Sequence, residues 1–572
     1  MAIVLLQKAV LLLPSFQPVL GVASRFTAVE TVNGLTGRPT TDSTASLKLT
    51  ECLKIKTQDI HQVSRPNLAN AEGVCSICHD LLTGASVCTL PCAHVFHSTC
   101  VADLRKFGVE QVCPLCRASL PPGPEKVFEE ATLNYMSIYQ MVEQGKASWS
   151  TLPASVQHKL DAAIAGWQDA AKEGIASAQF NLGLLLVQGR GMPQSDAKAV
   201  RWFRQAADQG LPQAQSILGD IFAKGHGVAQ SDAEAVRWRR KAAEQGYAEA
   251  QCTLALHFLN GRGVAKSDAE AVRWFRMAAD QGNDEAQMSL ASHFSSGRGV
   301  AQSNIEAVRW WKRAADQGNA VAQNYLGNAF EIGRGVVKNY ESAARCYKKA
   351  AKKGNAKAQC SLGYLYVKDH GVEHDYAKAA HWWQKAAEQG DSEAEVQLGV
   401  LLADGLGVAQ NYQEAARRFR RAADRGSAEA QFSLGLFYQN GFGVPQSYVE
   451  AVLWFKKAAE QGVAAAQCNL GIMLESGAGV AQSDEEAVRW YKKAAENGMP
   501  EAQRKLGTML ERGLGVAHNF SEAARWYRMA AEKGNSDAQM NLGKLYEDGR
   551  GVAKSYVEAA RWYEMAEHRG SR

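Results

Sequence analysis

Residues 75–116 hold eight side chains that could bind metal, arranged as four close pairs. They are Cys75/Cys78, Cys92/His94, His97/Cys100 and Cys113/Cys116. Thiolate and imidazole are the ligands zinc takes in closed four-coordinate structural sites. A short spacer within each pair lets one tight turn aim both donors at one ion. Eight donors make two such sites, with no open position for a catalytic water. Cys88 lies among them but outside the pairs and reads as an unligated, partly buried thiol.

The LPCAHVFHSTC core and the closing CPLCR sharpen this reading. The stretch resembles a RING finger of the variant with two central His. The resemblance implies two zinc ions in a cross-brace. Cys75, Cys78, His97 and Cys100 would hold one ion; Cys92, His94, Cys113 and Cys116 would hold the other. It also implies that a ubiquitin-conjugating enzyme carrying ubiquitin as a thioester docks here, held in a reactive pose by orientation and proximity. By position, Ile77 and Pro114 match the apolar docking residues. Arg117, directly after Cys116, matches the linchpin that hydrogen-bonds both enzyme and ubiquitin; its guanidinium offers several donors at once. Leu104 stands where Trp is common in this variant, which keeps the groove apolar but reduces its area.

Composition fits an intracellular setting. Of twelve Cys in 572 residues, seven lie between 75 and 116 and the rest are scattered, which is metal-site usage and not a disulfide framework. A formal charge of +5 is small for this length and suggests neither a nucleic-acid binder nor a polybasic membrane protein. The length calls for more than one domain.

Most of the chain is a repeat. Gly191 and every thirty-sixth residue after it, to Gly551, are glycine, which defines eleven repeats without insertion or deletion. Leu182 to Leu542 and Ala178 to Ala538 keep the same period. Such a period signals a solenoid of stacked units. Each repeat reads as two helices. In the third, EAQCTLALHFLN is followed by the breaker GRGVAKS and then by DAEAVRWFRMAADQG. A Ser, Asn or Asp column, from Ser195 to Ser555, supplies N-caps for the second helix. Glu three residues later in eight repeats predicts a capping box. Asn519-Phe520-Ser521 matches a glycosylation sequon, but the cap column accounts for Asn519. The glycines from Gly210 to Gly570 close the second helices.

The pattern AxAQxxLGxxYxxGxGVxxSxxEAVRWxxxAAxxG resembles the Sel-one-like repeat, a relative of the tetratricopeptide repeat. The fold class expected is therefore mainly α: a small zinc cross-brace RING domain followed by an α-helical solenoid of eleven 36-residue helix pairs. Small Ala columns let helices approach, aromatic columns fill the gaps, and a superhelix with a long concave face would suit extended partners. Three departures stand out. Asp369 replaces a loop glycine, which predicts a looser turn. Cys346 and Arg418 interrupt a Trp column, and Phe419 is expected to supply the missing bulk beside Arg418.

Pro153–Lys172 mimics a second helix without its partner and is read as a cap. Glu125–Gln144 reads as a further amphipathic helix, packed on that cap or serving as a hinge, with packing favoured. The Arg ladder from Arg201 admits an acidic-partner surface, but a solvated face with Glu three residues earlier is the favoured reading. His257 and His293 share a column. A stacked metal pair there finds no Cys or carboxylate to complete it, and Cys252, Cys360 and Cys468 read as small core residues.

Ala2–Leu13 is apolar but broken by Gln7 and Lys8 and too short to span a bilayer, which needs roughly 20 residues. GVAS near Gly21 resembles a signal cleavage site without a basic region before Ala2. A disordered or loosely helical leader is expected, then a flexible polar stretch over 26–72. The expected domains are 1–72, 73–120 (RING), 121–174 (linker and capping helices) and 175–570 (repeats). The leading functional expectation is a RING-type ubiquitin ligase whose partners are a conjugating enzyme, ubiquitin, and a substrate or adaptor protein on the solenoid. No nucleic acid and no membrane span are expected. The location expected is cytoplasmic, with the nucleus as alternative and the leader leaving membrane or signal targeting open. The competing expectation is a non-catalytic, zinc-stabilised interaction scaffold.

Overall fold

The computed structural model describes residues 73–567 except 79, 83–86 and 108–110. The leader Ala2–Leu13, the polar stretch 26–72 and Gly570 lie outside them. Chain contacts divide the protein into two compact units, Met1–Lys266 and Ser267–Arg572.

In the first unit a short antiparallel hairpin, β1 (Val87–Thr89) and β2 (Val95–His97), pairs Cys88 with Phe96. Helix α1 (Ser98–Phe107) follows directly. Leu90, Phe96 and Val101 pack there with the sulfurs of Cys75 and Cys113 as a very small core. Two longer helices come next, α2 (Pro124–Glu143) and α3 (Ala154–Lys172). They pack face to face through Phe128, Tyr135, Ile138, Leu160, Ile164 and Trp167. The indole N–H of Trp167 donates to Thr132 Oγ1 at 3.0 Å. The packing favoured for Glu125–Gln144 on Pro153–Lys172 therefore occurs, and α2 stands to α3 as a first helix, so the half-repeat is not without a partner. The period conceals the pair because residues 144–153 join the two helices, whereas the shorter 189–195 does so in the first repeat.

Every repeat is a pair of helices, such as Ala176–Gln188 with Asp196–Asp208, or Ala428–Asn440 with Tyr448–Glu460. The first helix ends on a left-handed residue, such as Gly441 (φ 74°), a conformation glycine adopts at no steric cost. Asp369 keeps the same turn at φ 55°, ψ 40°, its N–H donating to Leu365 O. The looser turn expected there does not occur; a short polar side chain tolerates the left-handed region.

The capping box is only half formed. In ten repeats the cap side chain accepts the N–H three residues on, as Ser231 does from Glu234 at 3.3 Å and Asn519 from Glu522 at 3.0 Å. Ser195 accepts none. The cap N–H of Ser231 already donates to Phe222 O of the first helix, at 2.8 Å. Glu234 pairs instead with Arg237, as Glu306 does with Arg309. The expected neutralisation of the Arg ladder by Glu therefore occurs at these positions.

The aromatic column that fills the core is one residue beyond the Trp column. Tyr347, Trp383, Phe419, Phe455, Tyr491 and Tyr527 are almost fully buried. Each ring lies on a first-helix glycine: a Cβ added to Gly435 would stand 2.6 Å from Phe455 Cδ1. Phe419 is thus the ordinary occupant of its own column and replaces nothing. Arg418 instead meets Glu395, at 3.2 Å and only 1% exposed. Glu395 stands in a column of glutamines that elsewhere clasp the preceding repeat, as Gln431 Nε2 does by donating to Ala423 O at 3.2 Å. A carboxylate cannot donate, and the Arg in the Trp column answers it.

His257 and His293 belong to the packing and not to a metal site. Their Nδ1 atoms face the loop carbonyls of Arg262 and Arg298 at 2.7 and 2.8 Å. Burial, with the Arg239 and Arg262 charges against the Arg262 carbonyl, holds the His257 imidazole below its ordinary value. Cys252, Cys360 and Cys468 are buried, as expected of small core residues.

Candidate metal centre

Local backbone, not a large core, positions the Cys and His side chains. The two CxxC turns are built alike. Val74 bridges to Leu81 and Val112 to Ser119. The N–H of Cys75 donates to Asp80 O at 2.8 Å, and that of Cys113 to Ala118 O at 2.7 Å, five residues ahead in both. Cys92 and His94 flank the hairpin turn, where Ala93 is left-handed (φ 66°). His97 ends β2 and Cys100 lies in the first turn of α1.

These elements bring the eight side chains together as two groups: Cys75, Cys78, His97 and Cys100; and Cys92, His94, Cys113 and Cys116. Within each group the donor atoms all lie within 4.8 Å of one another. Ligands of a tetrahedral zinc stand roughly 3.8 Å apart. The first and third pairs share one group and the second and fourth the other. Each His offers Nδ1 inward: His97 Nδ1 is 3.2 Å from Cys78 Sγ, and His94 Nδ1 is 3.7 Å from Cys113 Sγ. His97 Nε2 faces Leu81 O at 3.2 Å, the outer hydrogen bond that fixes a ligating tautomer.

The electrostatics favour a dication. Burial opposes ionisation of Cys75, but the N–H groups of Cys78, His97 and Ile77 outweigh it and bring the thiol to about 7. Cys92 is brought to about 7 in the same way, its burial overcome by His94 and the neighbouring sulfurs. Burial and then the Cys78 and Cys75 sulfurs push Cys100 up to about 12; burial pushes Cys113 up to about 11. One thiolate forms readily in each group, and the next must ionise against it. A shared zinc ion removes that repulsion and balances the remaining thiolates, so the donor set fits the metal.

The other positions singled out in the sequence surround the groups without joining them. Ile77 is half-buried against the small core and Leu104 is half-buried on α1. Pro114 is exposed, and so is Leu115 beside it, an apolar residue the family pattern did not single out. Arg117 is exposed and left-handed (φ 58°), its N–H donating to Cys113 O at 2.8 Å. Arg105 also escaped the sequence reading. From α1 its Nη2 donates to Pro121 O at 3.2 Å, which ties the metal-binding region to the segment entering α2.

Comparison with known proteins agrees with both parts. The Sel1 repeat model matches eleven consecutive stretches from 176 to 571, and the Ring finger domain model matches 73–117. The chain belongs to the Sel1 repeat family, and it carries a RING finger ahead of the repeats. Over 67 residues it is 42% identical to the E3 ubiquitin-protein ligase RNF181 of Xenopus tropicalis, covering 11% of this chain and 40% of that one. The Xenopus laevis protein of the same name is 42% identical over 57 residues, 10% of this chain and 35% of that one. The chain thus spans well under half the length of these relatives. Among solved structures, the protective antigen c5321 of uropathogenic Escherichia coli is 38% identical, with a TM-score of 0.65 over 71% of this chain and 86% of that one. A Sel1 repeat protein from Oxalobacter formigenes is 29% identical, with a TM-score of 0.45 over 57% of this chain and 93% of that one. Among the described residues no helix is long and apolar enough to cross a membrane.

Proposed function

We propose that the chain is a RING-type ubiquitin ligase: the RING finger recruits a ubiquitin-charged conjugating enzyme, and the repeats hold the protein to be modified or its adaptor. The pair of interleaved four-donor groups carries this reading. Zinc bound there closes the fold and supplies no chemistry to the transfer. The conjugating enzyme docks on Ile77, Leu104 and Pro114. Arg117 is left free by its exposed, left-handed position to hydrogen-bond enzyme and ubiquitin together. A substrate lysine amine then attacks the thioester carbonyl; the amide forms and the enzyme's thiolate leaves. The protein contributes orientation, which limits the wasted conformations of the thioester. The segment 121–174, with α2 packed on α3, joins the two working parts.

The test is autoubiquitylation by the purified chain across a panel of conjugating enzymes. Transfer is expected with at least one, and Cys75→Ala is expected to abolish it. Arg117→Ala should lower transfer while zinc content and helicity stay as they were. Transfer unchanged in that variant removes the linchpin role, and no transfer with any enzyme favours a non-catalytic scaffold.

A further inference from the structure

The second helices of the Ser267–Arg572 unit carry two basic columns on their solvent side, and they differ in how they are neutralised. In the first, Arg273, Arg309, Arg345, Arg417 and Arg561 each pair with a Glu three or four residues earlier on the same helix, whereas Arg489 and Arg525 of that column make no ion pair among the described residues. In the second, Arg276 and every thirty-sixth residue to Arg528 are Lys or Arg, except Gln384. All seven cations are exposed, and none lies within ion-pair distance of a carboxylate among the described residues. Five of them have a second cation directly after them, as in Lys312-Arg313, Lys348-Lys349 and Lys456-Lys457.

Three of the seven cations are held against aromatic rings. Arg276, Arg420 and Arg528 lie over the rings of Phe294, Tyr438 and Tyr546. In the adjoining column, Lys457 and Lys493 lie 3.9 and 4.2 Å from the ring centroids of Trp454 and Trp490. Cation–π contact fixes the side chains without cancelling their charge. Acidic residues border the strip on both sides: the Glu of the paired column on one side, and Asp316, Glu388, Asp424 and Glu460 on the other.

We infer that this strip binds an extended acidic segment of a partner protein. Three features select that partner over a nucleic acid. The positive charge forms a narrow strip, one or two cations wide, between carboxylates that would repel the phosphates of a wider strand. The aromatic rings named above already carry a cation on a face, which leaves less of each ring for a base to stack on. The chain's net charge of +5 gives little long-range attraction for a polyanion of high charge density. An extended peptide instead presents a carboxylate on one side roughly every 7 Å if acidic residues alternate, and charge-assisted hydrogen bonds reward each one that meets a cation.

This deepens the proposal that the repeats hold a partner, but it does not depend on ligase activity. The experiment is fluorescence anisotropy of a labelled polyglutamate peptide with the purified full chain. An oligothymidylate of equal charge serves as comparator. The variant Lys312→Gln/Lys348→Gln/Arg420→Gln/Lys456→Gln should weaken peptide binding at least about tenfold, the expectation for losing four exposed ionic contacts. The control Arg273→Gln/Arg309→Gln/Arg345→Gln/Arg417→Gln removes equal charge from the paired column and should weaken binding far less, through its freed Glu residues alone. All eight side chains are exposed, and circular dichroism confirms that both variants keep their helices. Equal weakening in the two variants, absence of peptide binding, or tighter binding of the oligothymidylate through the same column each overturns the inference. No ubiquitin is present, so a chain inactive as a ligase still answers. A chain active in autoubiquitylation that ignores polyglutamate overturns this strip alone.

Discussion

Among the described residues between Gly73 and Leu120, the buried apolar side chains are Leu90, Phe96 and Val101, together with the sulfurs of Cys75 and Cys113. One repeat alone, the eighth, buries Leu434, Phe437, Val452, Trp454, Phe455 and a set of alanines. A domain as small as the RING finger cannot bury enough apolar surface to hold itself together. Its ordering must come from the metal, with eight donors arranged by turns that the backbone alone makes. The repeats need no ion, because each hands its apolar face to the next and stability grows as a sum over neighbours. One region should therefore fail all at once, and the other in increments.

The largest effect expected is loss of the metal. Structural zinc contributes on the order of 10 kcal/mol to the folding of small domains. Elemental analysis should find two zinc ions per chain, matching the two donor groups. A strong chelator should open 73–120 to proteolysis and end ubiquitin transfer, while far-ultraviolet circular dichroism from the repeat helices persists. Helicity lost in step with zinc, or fewer than two ions, breaks the contrast.

Within the repeats the largest single cost should fall where the pattern is broken by charge. Arg418→Ala leaves Glu395 buried with only Arg421, at 3.6 Å, to face it. Removing one partner of a buried pair costs about 3 kcal/mol. The double change Glu395→Gln with Arg418→Trp restores the usual pair of columns and should return the denaturation midpoint to that of the parent or above it. A double variant as weak as Arg418→Ala alone would mean that the two departures are unrelated.

That pair also shows why some features were legible in the sequence and others were not. The eight donors and the 36-residue columns were visible because a ligand type or a glycine tolerates almost no substitute at its position. Glu395 and Arg418 stand 23 residues apart in different columns; Arg418 shows as a departure from the Trp column, but nothing in the sequence joins it to Glu395 until the fold faces them. The aromatic column of Phe419 was overlooked because Trp, one residue before, is the more conspicuous letter, though the later residue is the one driven onto the glycine. The packing of α2 on α3 is expected from the sequence, but its likeness to the helix pair of a repeat is not visible there, because a longer connection shifts α2 out of period. The exposed Leu115 and the tie from Arg105 to Pro121 carry no periodic signal.

A smaller effect tests how tightly those glycines are fitted. Gly435→Ala would place its Cβ 2.6 Å from Phe455 Cδ1 and 2.7 Å from Cε1. Overpacking of this kind costs about 1–3 kcal/mol. Urea denaturation should show the loss, and Phe455→Leu in the same chain should recover part of it by making room. If the double variant is weaker by the sum of the two single changes, the two sites do not share the strain.

The smallest effect is the most local. Ser231 and Ser195 hold the same place before their second helices, yet only Ser231 accepts a backbone N–H, from Glu234. Losing a working N-cap costs about 1 kcal/mol. Ser231→Ala should therefore lower the stability of the second repeat by that amount, read as faster amide exchange over Asp232–Glu244. Ser195→Ala should change exchange over Asp196–Asp208 by less than about 0.5 kcal/mol, the range for a surface change that removes no bond. Both variants should keep full zinc content, since no cap contributes to the metal-stapled region. Equal costs at the two positions would show that the hydroxyl acts through something other than the cap bond. A loss of zinc in either would show that the repeats and the RING finger do not fail independently.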